Sequence, residues 1–165
     1  MRRTVAHARD EAAFRARQQI NRALHGLEAE GVLEVYYFDE VGFSLRPVVP
    51  YAWQPTGAPR TVPTTSHRRL NVLGFLNKAN RGYFHTTTQR VTTETVIEAF
   101  EAFATQSAPR ALRLVVLDNA SMHHSAEFRT KAQDWIARGV LLVYLPPYSP
   151  ELNLIEILWQ RIKYH

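Results

Sequence analysis

The sequence predicts an α/β domain: a mixed five-stranded sheet with helices packed on its faces. Three observations carry that prediction. Five short runs rich in Val, Leu, Tyr and Phe have the length and composition of strands. Two of the first three are joined by a turn-rich stretch over 77–81, which makes an antiparallel hairpin. In the second half, strand-like runs alternate with helical patterns, which implies parallel neighbours. The expected sheet therefore has three antiparallel and two parallel strands.

Residues 9–30 read as a helix, with Ala13, Ala16, Ile20, Ala23, Leu24 and Leu27 on one stripe and Gly31 as its stop. Arg15, Arg17 and Arg22 lie off that stripe. Residues 32–39 follow as the first strand, ending at Asp39. Between 46 and 66 five prolines mark an irregular excursion, with a short strand near 42–45 before it. Residues 69–76 and 82–88 form the hairpin. Residues 93–106 read as a helix with Val96, Ile97, Phe100 and Phe103 on one face and Thr92 or Thr93 as its cap. Residues 112–117 are a buried strand and 140–145 another. Between them 125–138 is helical, with Phe128, Ala132, Trp135 and Ile136 sharing a face, Ser125 capping and Gly139 stopping. A last helix starts near Asn153. The expected organisation is a linker helix over 1–31 and one domain over 32–165.

A chain of 165 residues, 45% of them hydrophobic, can build one real core. It has no Cys, which excludes disulfides and thiolate metal sites. The basic first residues, MRRTVAHARDE, are not followed by an apolar stretch, so they do not read as a secretory signal. No apolar run approaches the ~20 residues that span a membrane. The net charge is +5. Its distribution says more than its size. Between Glu40 and Glu94 no acid occurs, while Arg46, Arg60, Arg68, Arg69, Lys78, Arg81 and Arg90 do. Such a stretch suits a phosphate-tracking face, although a solvated surface also tolerates it. There is no P-loop pattern, no HExxH and no GxSxG.

Three acids form the candidate site. Asp39 closes the run VLEVYYFDE, Asp118 closes LRLVVLD, and Glu156 lies on the last helix, beside the stripe Ile155, Leu158, Trp159, Ile162. In open α/β sheets ligands gather beyond strand ends, where connections diverge. Three convergent carboxylates can hold two divalent cations, and two cations can cut a phosphodiester. Oxygen ligands suit Mg²⁺ or Mn²⁺ and disfavour Zn²⁺. Each acid also has a plainer reading. Asp after a strand is a common turn residue, and Glu156, three after Asn153, suits a capping box. Glu40 and Glu151 are rival ligands from the same neighbourhoods. His123 and His124 are adjacent, so one faces the Asp118 region and the other faces solvent. Asn119 fits a turn after Asp118. Trp53 suits stacking on DNA or covering the core.

The motifs VYYFDE, WQPTG, VLGFLN, VVLDNASMHHS and LPPYSPELNLIEILW resemble those of the DDE transposases of bacterial insertion sequences related to the mariner superfamily. The resemblance covers roughly 32–163. It implies an RNase H-like fold, a catalytic and metal-binding triad of Asp39, Asp118 and Glu156, and a motif histidine at His123. It implies Mg²⁺ or Mn²⁺ as cofactor, double-stranded DNA as partner, a homodimer on paired element ends, insertion at TA, and a cytoplasmic, nucleoid-associated location. Two departures stand out. Leu154 occupies the place where the family usually has Pro, which would pre-set the first helical turn. The helix-turn-helix domains usual in the family have no room before residue 32, which points to a split reading frame with a separate chain supplying them, or to a truncated copy. The alternative readings are another RNase H-like nuclease and a DNA-binding remnant without catalysis.

Overall fold

The computed structural model describes residues 10–44, 56–57, 69–106 and 111–164. Its elements are α1 (Glu11–Ala29), β1 (Leu33–Ser44), β2 (Arg69–Asn77), β3 (Gly82–Thr87), α2 (Thr93–Thr105), β4 (Leu112–Leu117), α3 (Ala126–Ala137), β5 (Val140–Tyr144) and α4 (Ile155–Tyr164). Short 3-10 turns over Ser121–His124 and Pro150–Leu152 precede α3 and α4. The sheet order is β3-β2-β1-β4-β5. β1, β2 and β3 pair antiparallel, while β4 and β5 run parallel to β1. The mixed five-stranded sheet expected from the sequence is present.

Alternation along the strands divides the core into two layers. Tyr36, Phe38, Leu73, Phe75, Val115 and Leu117 face α2 and α3, where Phe100, Phe103, Phe128 and Trp135 fill the space. Val35, Tyr37, Val41, Val72, Leu114 and Val116 face the opposite side, against Leu24 of α1 and Ile155 and Trp159 of α4. Asp10, Thr92 and Ser125 cap α1, α2 and α3 by accepting backbone N–H bonds. At the far end of α2, buried Arg113 donates to the carbonyls of Phe103 (2.7 Å) and Ala104 (3.1 Å). A cation there satisfies carbonyls that a helix end leaves open, and it ties α2 to β4.

Four expectations need correction. β1 does not end at Asp39; it continues to Ser44, because β2 pairs with it along its whole length, from Tyr36–Asn77 to Ser44–Arg69. The short strand expected near 42–45 is not separate; it is the end of β1, which passes through Gly42. The Arg69 guanidinium lies directly over it, in the space where a Cβ would stand. The stripe on α1 is only partly covered: Leu24 packs, whereas Ile20 and Leu27 are exposed. Ile136 on α3 and Ile162 on α4 are likewise exposed, while Trp135, Ile155 and Trp159 carry the burial. On α1 the inward side is rotated from that stripe: Asn21 is its buried residue, and Arg17, expected off the stripe, donates to the Tyr144 carbonyl.

One glycine decides how α4 sits. Gly74 on β2 lies opposite Asp39 on β1. A Cβ at Gly74 would stand 2.7 Å from the Trp159 ring and 2.8 Å from Ile155 Cδ1. The helix therefore rests directly on the β2 backbone. Gly74→Ala is expected to destabilise the fold by about 1–3 kcal/mol through overpacking. Gly26 has open space around it, so Gly26→Ala is expected to stabilise by about 0.5–1 kcal/mol through backbone entropy. Urea unfolding of the two variants beside wild type checks both signs.

Candidate active site

The parallel pairing of β1 with β4 ends at Tyr37–Val116. Continuing that register by two residues places Asp39 beside Asp118, where β4 stops and β1 runs on. The chain closes this gap with the turn before α4. Buried Asn153 donates from Nδ2 to the carbonyl of Phe38, 3.0 Å away, and Leu145 N donates to the carbonyl of Leu117 at 2.8 Å. A backbone carbonyl without a strand partner is thereby satisfied by a side chain. The same anchor brings the first turn of α4, and Glu156, to this sheet edge. Asp118, Asn119, Asn153 and Glu156 line one open cavity of about 480 Å³.

The three acids repel one another. Asp39 is pushed up to about 7, first by burial, then by Glu40, with Glu156 and Asp118 adding to it. Its Oδ1 accepts the Glu40 N–H at 2.9 Å, which opposes the rise. Glu156 is raised by burial, then by Asp118 and Glu151. Glu40 is also raised by burial. Asp118 moves the other way. A hydrogen bond from His123 holds its carboxyl below the usual range, and the Ala120 N–H (3.1 Å) assists.

His123 is the histidine that turns inward. It is fully buried between Phe38 and Phe128, with Nδ1 3.0 Å from Asp118 Oδ1 and Nε2 3.9 Å from Glu40 Oε1. Burial works against its imidazolium, but Asp118 and Glu40 outweigh that and raise its pKa. Glu40 therefore faces the α2–α3 side with His123, while Asp39 faces the α1–α4 side with Glu156. His124 is exposed, stacks on Tyr144 and hydrogen-bonds the Asn119 side chain. Glu151 is exposed in the turn before α4.

The predicted basic face divides. Arg69 and Arg90 line one hollow with Asn71, at the end of the sheet beyond Asp39. Lys78 and Arg81 stand at the other end, where Arg81 Nη2 pairs with Glu34 at 2.6 Å. Glu34 is five residues before Asp39, or about 17 Å along a strand. Arg46, Trp53, Arg60 and Arg68 lie outside the described residues.

Sequence reading missed two residues of this region. Gly74 seats α4, and nothing in its local sequence announces a helix above it. Tyr148 lines the cavity in a left-handed backbone conformation (φ 56°), which costs a bulky residue about 1–3 kcal/mol. Its position between Pro147 and Ser149 gives no pattern that names that conformation.

The donor set fits a hard divalent cation: carboxylate oxygens whose mutual repulsion such an ion would relieve. Among the described residues, no three His, Asp or Glu side chains stand close enough to clasp one ion as they are. Ligation therefore requires side-chain rotation at the cavity rim, and Asp118 is the residue already held elsewhere, by His123.

A mixed sheet with one acid inside its central strand, a second just past the end of the neighbouring parallel strand and a third on a crossing helix has the architecture of the RNase H-like fold. The comparisons agree. Residues 34–165 match the family described as DDE superfamily endonuclease, and the chain belongs to that family. It is 29% identical over 154 residues to the insertion element IS630 uncharacterized 39 kDa protein of Shigella sonnei. That match covers 87% of this chain but 41% of the relative, so the chain spans less than half of the curated relative's length. Among solved structures, the fold resembles the Mos1 strand transfer complex (TM-score 0.63, 13% identity, 94% of this chain and 48% of that one). It also resembles the Mos1 mariner paired end complex with Mn (TM-score 0.61, 14%, 94% and 49%). A third is the catalytic domain of Mos1 mariner transposase (TM-score 0.58, 12%, 94% and 74%). Among the described residues, no helix is long and apolar enough to cross a membrane.

Raised carboxyls make stability pH-dependent. The folded state favours neutral Asp39, whose pKa rises from 3.8 to about 7, so its contribution is lost as pH climbs through that window. Glu40 and Glu156 act in the same direction, as does His123, whose raised pKa contributes stability that disappears as pH rises. Asp118 opposes them, contributing stability that is lost as pH falls. Metal-free protein is therefore expected to lose stability from about pH 4 to about pH 7, and Asp39→Asn to flatten the slope. Urea midpoints in EDTA across that range measure it; a midpoint that climbs instead would contradict the burial of Asp39.

Proposed function

We propose that this chain is the catalytic domain of an insertion-sequence transposase, which nicks DNA at element ends and joins the cut strand to target DNA. One observation carries the reading. Asp39 and Asp118 stand side by side where β1 and β4 part, and the seat of α4 brings Glu156 over the same edge.

Asp39, Asp118 and Glu156 would hold the divalent ions, Mg²⁺ or Mn²⁺. Two such ions, when bound, activate the attacking oxygen and stabilise the leaving 3′ oxygen of an in-line displacement. The rest belongs to the chain. Burial keeps Asp39 ready to shed its proton near neutral pH, in favour of a cation. His123 fixes the carboxylate of Asp118 from the opposite side of the sheet. Asn153 and Gly74 set the height and position of Glu156. Water serves as the first nucleophile and a 3′ hydroxyl of DNA as the second, so no covalent bond between protein and DNA is needed. Arg69 and Arg90 stand beyond the same end of the sheet, on the α2 side rather than the Asp39 side, and would bind phosphates of a strand passing over that end. Arg46, Arg60 and Arg68 extend that basic run in sequence, while Lys78 and Arg81 would serve a more distant stretch of duplex.

Residues 32–165 are taken as the catalytic unit, with α1 packed on it. The similar structures include strand-transfer and paired-end complexes, which supports DNA ends as partner; a homodimer on paired ends is part of the same proposal. End recognition would come from helix-turn-helix domains on the same protein or on a separate chain. Insertion at TA, a step that deforms easily, would follow from the same kinship.

Plasmid nicking with Mg²⁺ or Mn²⁺ is the direct test. Wild type is expected to nick, and Asp118→Asn to fall by at least about a hundredfold, since even outer-shell changes at metal sites cost 10–100-fold. Full nicking by a folded Asp118→Asn would remove Asp118 from the site. Metal binding without nicking by wild type would favour the non-catalytic DNA-binding reading. Arg69→Ala is expected to reduce the salt dependence of DNA binding by about one charge.

A further inference from the structure

Tyr148 is the least explained residue in the cavity. It lies on the rim shared by Asp118 and Glu156, and 57% of its surface is exposed. Among the described residues its ring packs on no other aromatic ring. It is also one of two described non-glycine residues with positive φ, the other being a turn asparagine, Asn80. Asn tolerates that conformation routinely, and a bulky aromatic residue does not.

The surrounding turn is rigid on both sides. Pro146, Pro147 and Pro150 restrict the backbone. Ser149 and Asn153 are buried. Ser149 Oγ donates to the Pro147 carbonyl (3.3 Å), Leu152 N to the Ser149 carbonyl (3.1 Å), and Asn153 N to the Pro150 carbonyl (2.8 Å). The Asn153 side chain then pins the turn to β1 beside Asp39. The fold thus fixes a strained backbone in order to hold a large flat ring in solvent, at the mouth of an acidic site. Strain of this kind persists where surrounding contacts over-determine it, and it concentrates at ligand clamps.

We propose that Tyr148 is a stacking platform for an unpaired nucleobase next to the phosphodiester that the carboxylates act on. This deepens the transposase reading and rests on it. The chemistry of the site selects the ligand. A strand entering a cavity of about 480 Å³ brings its bases past the rim, and every base has a π-face that a tyrosine ring can cover. In a paired duplex both faces of a base are already covered by neighbours. Only a base displaced from the stack, or at a frayed end, can meet the ring. The preference is therefore for unpaired DNA and carries no sequence information.

The test uses the full chain with Ca²⁺ in place of Mg²⁺, so that binding is read without turnover. The probe is a short single-stranded oligonucleotide carrying one 2-aminopurine, whose fluorescence is quenched when the base stacks. Tyr148→Phe keeps the ring. Tyr148→Gly removes it and relaxes the left-handed backbone, so the variant folds at least as readily; circular dichroism confirms that. Wild type and Tyr148→Phe are expected to quench the probe and bind alike. Tyr148→Gly is expected to bind about ten- to a hundredfold more weakly, with the quench lost, as for removal of one base–aromatic stack. The same probe in a fully paired duplex is expected to show no dependence on the ring.

Equal affinity and equal quench in Tyr148→Gly overturns the proposal. So does a loss in Tyr148→Phe as large as in Tyr148→Gly, which would assign the effect to the hydroxyl. Absence of single-strand binding by wild type also overturns it. Plasmid nicking by the same preparations reports separately on the transposase reading: a ring-dependent quench in a chain that never nicks removes cleavage and leaves the platform.

Discussion

The active edge depends on how close α4 can come to the sheet. Gly74 leaves the β2 backbone bare opposite Asp39, and Trp159 and Ile155 occupy that space. Any side chain there lifts the helix, and Glu156 lifts with it. The second fastening, from the Asn153 amide to the Phe38 carbonyl, fixes the turn at the residue before Asp39. Two neutral contacts thus set the position of a charged group. That division suits a site where charges repel: the carboxylates cannot hold themselves together, so apolar packing and a buried hydrogen bond must do so.

The electrostatics follow from this enforced proximity. Burial disfavours the charged form of Asp39 and Glu156, and each also faces the other acids. Asp118 escapes because it lies at the strand end, where His123 reaches it from the opposite layer. The sheet therefore separates the acids by environment. One is buried and easily protonated, and its neighbour is paired and ionised. A cation would have to draw the ionised carboxylate of Asp118 away from His123 and to compete with a proton at Asp39. Mutually repelling acids with shifted pKa values mark functional sites more often than structural ones. Here the geometry of β1 and β4 gives the reason for the shift.

Much of this was legible in the residues. Strand-like runs, helix caps at Thr92 and Ser125, and the glycine stop after α3 are local, and local chemistry determines them. Asp118 was legible as a strand-end acid, and Asp39 as the acid after an apolar run, although β1 continues five residues beyond it along β2. Other features depend on partners far along the chain. The run 32–39 and the short strand near 42–45 read as separate, yet β1 joins them through Gly42 because β2 supplies the ladder and Arg69 covers the gap. Ile20, Leu27, Ile136 and Ile162 fit helical stripes yet are exposed, and on α1 polar Arg17 and Asn21 take the inward side that apolar spacing assigned to others. The basic run between Glu40 and Glu94 looks continuous in one dimension. The hairpin folds it so that Arg69 and Arg81 end at opposite ends of β2 and β3. Neither the seat at Gly74 nor the strained backbone at Tyr148 has a one-dimensional pattern.

The same folding explains why the motif around Tyr148 is rich in residues of such different character. Leu145 is buried, the prolines stiffen the turn, Ser149 and Asn153 satisfy backbone groups, and Ile155 begins the helix that rests on Gly74. Each of these roles faces inward and is explained by the packing of α4. Tyr148 is the aromatic residue of the turn that stands exposed, and the buried residues around it make its conformation possible. A rigid turn between β5 and α4 therefore does two things at once. It delivers Glu156 to the sheet edge and it presents a ring at the mouth of the cavity, so that the proposed contact with a substrate strand would rest on the same piece of backbone as the alignment of the acids.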